Sequence, residues 1–404
     1  MDVEELQGER RRRLRGARRV VVKVGTGVVS GAGGEVCAGR VGPIVRALAA
    51  LREEGRGVVL VSSGAVGLGA GRLGLARARL SDVVVRQACA AVGQSLLMHA
   101  YERMFGECGV KIAQVLLTED DFTDRRRYSN VRRTMEKLLK LGVVPVVNEN
   151  DTVSTAELEY VGAGRVFSDN DRLAALVMSG LEAEALVLLT DVDGLLVHRP
   201  PDLFAGAARD EESMVVPVVA EVTPELKALA TGASATGRGG MLTKLEAAAI
   251  AMRAGGVVCI ANGTRPDTLA RVFAGEEIGT AFVPTSRMAG KRRWIAYAAS
   301  ARGRVVVNAG ARAAILGGKA SLLASGVVRV ERDFEPSDVV SIADPEGREF
   351  ARGIANCAST DTVAFINRRD EREHKRAAKA GVLVTRDNIV ILESQAETTR
   401  HTNN

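Results

Sequence analysis

The sequence predicts an α/β protein in which an open, mostly parallel sheet is sandwiched by helices and followed by a small β-rich domain. Near-continuous apolar runs alternate with helical segments over residues 19–285, as expected of parallel strands that are buried on both faces. Residues 303–393 instead show short apolar runs separated by polar turns, which is typical of a β-rich domain. A length of 404 residues also favours two domains over one.

The strands of the first domain are predicted from runs of valine, isoleucine and leucine. In chain order they are RVVVKVG (19–25), GVVLVSS (57–63), VKIAQVLLT (110–118), VVPVVNE (143–149), ALVLLTD (185–191), VVCIANG (257–263) and GTAFVP (279–284). Helical segments such as GPIVRALAALREEG, RQACAAVGQSLLMHAYERMFGE and NVRRTMEKLLKLG lie between them. Because ligands of such sheets bind beyond the carboxyl ends of the strands, that edge is the predicted position of a site.

The second domain is predicted from four segments that are rich in short strands. They are GRVVVNAGARAAIL, SGVVRVERDF, SDVVSIADPEGREFARGIAN and GVLVTRDNIVIL. Residues 286–302 are predicted to be a basic linker, and residues 394–404 a polar tail. Residues 1–18 are predicted to be a basic, disordered tail, with organelle targeting as the alternative that its four acidic residues disfavour.

The net charge of +6 is concentrated in two places. Residues 1–19 contribute +3 and residues 285–300 contribute +4, so the rest of the chain is close to neutral. Aromatic residues make up 3% of the chain, which disfavours extensive stacking on single-stranded nucleic acid. The five cysteines are far apart in the sequence and lack zinc-site spacing, which favours a reducing, cytoplasmic location. No apolar run is long enough to span a membrane.

One lysine interrupts the first apolar strand, VVVKVGTG. A buried ammonium group is costly without a partner, so Lys23 is predicted to meet an anion. The ends of the neighbouring strands are small or polar, and in a parallel sheet they share one edge with Lys23. The side chains and glycines predicted to gather there are Lys23, Gly25, Ser63, Gly64, Asp151, Thr190 and Asp191. For any one of them, a role in a turn is the alternative.

A glycine-rich segment, GRGGMLTKLEAAAIAMRAGG (237–256), leads directly into a predicted helix. The backbone amides at Gly239 and Gly240 could face a phosphate at the helix N-terminus, with Lys244 about one turn inside. The alternative is a plain loop followed by a surface lysine. The P-loop pattern does not occur in the chain, which disfavours a P-loop NTPase.

A further polar cluster, FSDNDRLAAL, opens another predicted helix. Ser168 or Asp169 could cap the helix, with Asp171 placed in its first turn, or the cluster could bind an amino group or orient two lysines. The segment GAGRLG (69–74) matches a dinucleotide-binding pattern in form only, because it neither follows a strand directly nor has an acidic residue about 20 positions later.

With these motifs in this order, the chain closely resembles the glutamate-phosphorylating members of the amino acid kinase family. The resemblance is carried by VVKVGTG, VSSGAVGLG, AAVGQSLLM, QVLLTEDDF, VVPVVNENDTV, SDND, LLTDVDGL and GGMLTKLEAA. The C-terminal stretch resembles a PUA domain. The resemblance implies an enzyme that uses ATP and Mg²⁺ to phosphorylate the γ-carboxylate of L-glutamate, the first step of proline synthesis.

The resemblance also implies roles for individual residues. Lys23 and Lys244 would contact the ATP phosphates and the transferred phosphoryl group, and Asp171 would organise both lysines. The residues implied to bind glutamate are Ser63, Asp151 and Asn170. The residues implied to bind ATP are Lys23, Thr190, Asp191, Arg238, Gly239, Gly240, Met241, Leu242, Thr243 and Lys244. No protein ligand of a metal ion is implied.

The chain departs from the family pattern at Gly27, where serine is common, and at Arg238, where threonine is common. The segment at 156–168 is also longer than in the bacterial pattern. The resemblance further implies a homo-oligomer, a dimer or tetramer, and inhibition by L-proline. Rival hypotheses are a kinase acting on N-acetylglutamate, aspartate, carbamate or UMP, and an RNA-binding protein acting through the PUA domain. The near-neutral charge outside the two basic stretches disfavours RNA binding.

Overall fold

A computed structural model describes residues 2–31, 34–118, 120–154, 170–198, 213–229, 240–284, 288, 290–298, 301–318, 320–366 and 381–392. The chain divides into two compact units. The first comprises Met1–Asp121 and Arg126–Met288, and the second comprises Phe122–Arg125 and Ala289–Asn404.

The first unit is built on an eight-stranded sheet with the order β3-β4-β2-β1-β5-β9-β10-β8. The strands before residue 288 are β1 (Arg19–Val24), β2 (Gly57–Ser62), β3 (Ile112–Leu117), β4 (Val144–Glu149), β5 (Ala185–Thr190), β6 (Leu196–His198), β7 (Ser213–Val215), β8 (Val218–Val219), β9 (Val257–Asn262) and β10 (Thr280–Phe282). Neighbouring strands run parallel except β9 and β10, while β6 and β7 form a separate antiparallel pair. The predicted, mostly parallel sheet and its seven predicted strands are confirmed.

Helices connect these strands. Before residue 288 they are α1 (Val3–Gly16), α2 (Thr26–Val29), α3 (Ala38–Glu53), α4 (Ala65–Arg72), α5 (Val83–Glu107), α6 (Asp120–Thr123), α7 (Arg125–Lys140), α8 (Asn170–Leu181), α9 (Pro224–Leu229), α10 (Met241–Arg253) and α11 (Thr268–Phe273). Proline at position 43 lies inside α3. Proline cannot donate a backbone hydrogen bond, so at the sixth residue of α3 it removes one intrahelical hydrogen bond near the start of the helix.

Strand β1 lies in the middle of the sheet, with β2 on one side and β5 on the other. The chain leaves β1 towards β2, and after β4 it crosses to the other side of β1 to form β5. Such a reversal opens a crevice at the carboxyl ends of the strands, where ligands of open α/β sheets bind. Lys23, next to last in β1, is therefore carried to this crevice by a strand whose other residues from Val20 onward are buried.

Residues 1–18 were predicted to be disordered, and this prediction is wrong, because Val3–Gly16 form helix α1. Asp2 and Glu5 form a reciprocal capping box at its start, with hydrogen bonds of 2.8 and 3.1 Å. Leu6 and Leu14 are buried, and the Arg10 guanidinium is fully buried and donates to the carbonyl oxygen of Glu276 at 2.9 Å. The net charge of this segment did not indicate a helix. It does not show that the acidic residues cap the helix and pair with its arginines.

The stretch at 286–302 was predicted to be a linker, but part of it is folded within the second unit. It contains α12 (Gly290–Arg293) and a π-helical turn, Trp294–Ala298. Arg293 is 3% exposed and Trp294 is 8% exposed. The Trp294 indole donates to the carbonyl oxygen of Phe122 at 3.0 Å. The prediction of a linker rested on the cations of this stretch and overlooked the apolar residues Trp294–Ala298, which pack.

The second unit contains a five-stranded sheet with the order β13-β11-β14-β15-β17. The strands of this unit are β11 (Gly303–Val307), β12 (Leu322–Leu323), β13 (Val327–Arg332), β14 (Val339–Ala343), β15 (Glu349–Ile354), β16 (Val382–Val384) and β17 (Ile389–Ile391). Of these, β12 and β16 form a separate antiparallel pair. Two helices accompany it, α13 (Ala309–Leu316) and α14 (Ser359–Ile366). Buried side chains such as Ile342 and Phe350 form its own core. The predicted β-rich domain is confirmed.

Candidate active site

Two lysines that are distant in sequence bind one buried carboxylate at the crevice. The Lys23 ammonium lies 2.7 Å from Oδ1 of Asp171, and the Lys244 ammonium lies 3.1 Å from Oδ2. Lys23 and Lys244 are each 5% exposed, and Asp171 is fully buried. The anion expected beside Lys23 is therefore a carboxylate of the protein. Both ammonium groups thus converge on the same carboxylate.

The Asp171 carboxyl is held in its ionised form. Burial by itself raises its pKa, but the charges of Lys23 and Lys244 and their hydrogen bonds outweigh burial, so the pKa lies below its ordinary value. Asp171 occupies the first turn of α8, where the helix dipole also stabilises a negative charge. The carboxylate thus keeps two cations in place at one point of the crevice.

The glycine-rich segment ends at this cluster. Gly240 is the N-cap residue of α10 and makes no side-chain cap, so the first amides of the helix are left for another acceptor. The Thr243 hydroxyl lies 3.1 Å from Oδ2 of Asp171 and 2.9 Å from the carbonyl oxygen of Gly240. Met241 and Leu242 open the helix, and Arg238 and Gly239 lie outside the described residues. The described part of the predicted phosphate-facing segment therefore adjoins the two lysines.

Asn170, the residue before Asp171, joins the ends of two other strands. Its Nδ2 lies 2.8 Å from the Ser63 hydroxyl and 3.2 Å from the carbonyl oxygen of Ser62, both at the end of β2. It also lies 3.0 Å from Oδ1 of Asn148 on β4. Of the three predicted glutamate-binding residues, the structure thus brings Ser63 and Asn170 into contact.

Asp151 lies in the turn that follows β4, at the same edge of the sheet. The turn is stabilised locally, because Ser154 donates its backbone N–H to the carbonyl oxygen of Asn150 at 3.0 Å and its hydroxyl to Glu149 at 2.8 Å. Asp151 is half-buried there. It shares the strand edge with Asn148.

The backbone of α4 and α5, which follow β2, needs glycine at three places. Gly64 adopts a φ of +107° as the N-cap residue of α4, in the left-handed region that favours glycine. Gly93 of α5 packs so closely on α4 that an added Cβ would lie 1.7 Å from the carbonyl oxygen of Ala65. Gly69, in the segment that matches a dinucleotide pattern, would place a Cβ 1.8 Å from the carbonyl oxygen of Cys89. Gly69 therefore serves the contact between the two helices.

Thr190 and Asp191 lie at the end of β5, on the other side of β1. The Thr190 hydroxyl donates to the Asp191 carboxylate at 3.1 Å. A Cβ added at Gly27 would lie 3.2 Å from Oδ2 of Asp191, so a serine at that position would crowd this carboxylate. The predicted nucleotide contacts are thus on the opposite side of Lys23 from Ser63.

Sequence reasoning missed three parts of this edge. Asn148 and Gln94 extend the contacts of Asn170, with Asn148 Nδ2 donating to Gln94 Oε1 at 2.8 Å. Asp193 accepts from Asn262 at 2.8 Å and pairs with Arg265 at 2.7 Å. Two features of the sequence could have indicated these residues: Asn148 lies at the end of a strand, and Gln94 is a polar residue next to Gly93, which packs closely. Neither signal indicates which partner the side chain meets.

Among the residues that the structure describes, no group of three or more His, Cys, Asp or Glu side chains could hold a metal ion. Within the same residues, no helix is long and apolar enough to cross a membrane.

Family membership adds to the evidence from the sheet and from the two lysines that bind one buried carboxylate. The profile of the amino acid kinase family matches residues 18–262, more than half of the chain, and the chain belongs to this family. The PUA domain profile matches residues 303–376, in the second unit. The resemblance noted in the sequence is confirmed on both counts.

Individual relatives are similar over most of the chain. Glutamate 5-kinase of Moorella thermoacetica is 44% identical, over 93% of this chain and 97% of the relative. Glutamate 5-kinase of Myxococcus xanthus is 49% identical over 85% of this chain and 87% of the relative. The enzyme of the same name from Gloeobacter violaceus is 43% identical over 92% of this chain and 99% of the relative.

Proposed function

We propose that the protein transfers the γ-phosphoryl group of ATP to the γ-carboxylate of L-glutamate, which yields L-glutamyl 5-phosphate and ADP and begins proline biosynthesis. The observation that carries this proposal is the pair of buried lysines on Asp171, beside the contact between Asn170 and Ser63. The high identity to enzymes named glutamate 5-kinase selects glutamate among the acceptors of the family.

Phosphoryl transfer needs positioning and positive charge more than covalent chemistry from the protein. A carboxylate oxygen of glutamate forms a bond to the γ-phosphorus while the bond to the oxygen bridging the β- and γ-phosphates breaks, and that electron pair leaves with ADP. Lys23 and Lys244 stabilise the negative charge that spreads over the transferred group, and Asp171 keeps them oriented.

No general base is required for this reaction. The side-chain carboxyl of free glutamate has a pKa of about 4.3, so the nucleophile is already ionised at neutral pH. A site whose described residues are lysines, a carboxylate and amides, without histidine, suits such a nucleophile.

Substrates occupy the two sides of β1. Ser63, Asp151 and Asn170 hold glutamate, and Thr190, Asp191 and the segment at 238–244 hold the nucleotide. Asp171 is committed to two lysines, so Mg²⁺ would be held mainly by the ATP phosphates, whose charge it would screen.

The direct test is to trap the product. The purified protein is incubated with MgATP and L-glutamate in the presence of hydroxylamine, which converts an acyl phosphate to a hydroxamate that iron(III) reveals by colour. We expect hydroxamate only when both substrates are present. N-acetylglutamate, aspartate, carbamate and UMP are compared in a coupled ADP assay, and faster turnover with any of them would contradict the proposal.

A further inference from the structure

Three side-chain amides form a hydrogen-bonded relay from the start of α8 to the middle of α5. Asn170 Nδ2 donates to Asn148 Oδ1 at 3.0 Å, and Asn148 Nδ2 donates to Gln94 Oε1 at 2.8 Å. The relay thus connects a residue proposed to bind glutamate with a helix to which the proposed mechanism gives no role.

A backbone group sets the direction of the relay. Asn170 Nδ2 lies 3.2 Å from the carbonyl oxygen of Ser62, which can only accept a hydrogen bond, and 2.8 Å from the Ser63 hydroxyl, so its two hydrogens are shared among these oxygens and Asn148 Oδ1. If the Asn170 amide were rotated by half a turn, its Oδ1 would face the carbonyl oxygen of Ser62, and two acceptors would repel each other. The amides of Asn148 and Gln94 would have to rotate as well to keep their hydrogen bonds. The donors and acceptors of all three amides are therefore fixed in one order.

This order leaves an acceptor at one end and a donor at the other. Asn170 Oδ1 and Gln94 Nε2 are both buried from solvent, and neither has a hydrogen-bond partner among the residues that the structure describes. A buried polar group without a partner is costly and rare in a native protein. A bound ligand with a donor for one end and an acceptor for the other would remove both costs.

The Gln94 end of the relay lies away from the reacting groups. Gln94 is bonded to Asn148 on β4, whereas Lys23 lies on β1, with β2 between these strands. Two strand spacings correspond to about 10 Å. An acceptor molecule whose reacting carboxylate lies at Lys23 would therefore present its other, non-reacting end towards Asn148 and Gln94.

We infer that Gln94 is a specificity-determining residue of the acceptor site, and that its Nε2 donates a hydrogen bond to the α-carboxylate of the substrate. This inference rests on the proposed function, because it takes an α-amino dicarboxylic acid as the acceptor. With this contact, the relay favours substrates that carry a negatively charged oxygen at the end remote from the reacting carboxylate.

The test exchanges the donor for an acceptor without removing the relay. Gln94→Glu keeps an oxygen for Asn148 to donate to and replaces Nε2 with a second oxygen. The full-length variant is assayed with MgATP and two acceptors, L-glutamate and its α-amide L-isoglutamine, each measured as substrate or as competitive inhibitor. We expect the KM for glutamate to rise at least about tenfold, as for loss of one charged hydrogen bond, with the KM for ATP unchanged.

Isoglutamine separates a contact with the substrate from a general loss of structure. Its α-amide can donate to the new carboxylate, so its affinity should hold or improve and the preference for glutamate should fall at least about tenfold. An unchanged preference would overturn the inference. Failure of the wild-type protein to phosphorylate glutamate would instead overturn the proposed function.

Two further variants complete the experiment. Ser95→Glu adds the same charge at the neighbouring exposed position of α5 and should leave both acceptors unaffected. Gln94→Met removes the donor without adding charge, so it replaces Gln94→Glu if thermal unfolding shows that variant to be unfolded. With Gln94→Met, glutamate should lose more affinity than isoglutamine, and an equal loss for both would contradict the assigned contact.

Discussion

Replacing Asp171 with asparagine tests the electrostatic centre of the crevice. Asp171→Asn keeps the size of the side chain but removes the negative charge that lies 2.7 Å from one ammonium and 3.1 Å from the other. Removing one partner of a buried ion pair costs about 3–5 kcal/mol, because the remaining charge stays out of water. Both lysines here are 5% exposed, so we expect the free energy of unfolding to fall by about that amount.

The measurement is urea unfolding of the wild-type protein and the variant at pH 7. Glu276→Gln is the matched control, because Glu276 pairs with Arg271 at 2.7 Å while both side chains are about half exposed. Exposed pairs contribute about 0–1 kcal/mol, so this variant should unfold close to the wild-type midpoint. A variant at position 171 as stable as the control would refute the argument from burial.

The same pair of proteins has a predictable pH dependence. The pKa of Asp171 is lowered in the folded protein, so its stabilising contribution is fully present above the unfolded value of about 3.9 and is lost as the pH falls further. The stability difference between the wild-type protein and Asp171→Asn should therefore be constant from pH 7 to pH 5 and shrink below about pH 4. A difference that already disappears at pH 6 would assign the effect to another group.

Three other substitutions, one of them with a matched control, have expected outcomes. Lys23→Ala should lower kcat about 10²–10³-fold, as for loss of one electrostatic donor, and near-wild-type turnover in the coupled assay would show that Lys23 does not act on the phosphoryl group. Asp151→Ala should mainly raise the KM for glutamate, whereas a collapse of ATP affinity with an unchanged glutamate KM would place Asp151 elsewhere. Gly93→Ala should destabilise the fold by about 1–3 kcal/mol or more in urea unfolding, because its Cβ would lie 1.7 Å from a backbone oxygen of α4. Gly106→Ala, on the same helix with open space around it, should instead be neutral or stabilising by up to about 1 kcal/mol, and equal effects of the two would contradict the packing argument.

Helix α1 illustrates where composition misleads. Its arginines suggested a disordered tail, yet Arg10 is fully buried and bonded to a backbone carbonyl oxygen of Glu276. The apolar Leu6 and Leu14 share a face with it, and the capping box of Asp2 and Glu5 begins the helix. Those signals were present in the sequence but local, and a net charge averages them away.

The sequence by itself determined the strands, their parallel arrangement and the edge at which a site forms. Near-continuous apolar runs such as the one that contains Lys23 are typical of strands covered on both faces, so the pattern indicates burial directly. The glycine at position 64 and the polar strand ends were visible for the same reason, because local backbone geometry restricts which residues fit.

Only the tertiary structure decided which side chains meet. Lys23 and Lys244 are 221 positions apart in the chain, and nothing local to either indicates that Asp171 lies between them. The relay from Asn170 to Gln94 likewise depends on the order of β1, β2 and β4 and on the close approach of α5. Partner choice is a property of strand order and helix packing, which arise from contacts between distant segments and leave no periodic pattern in any one of them.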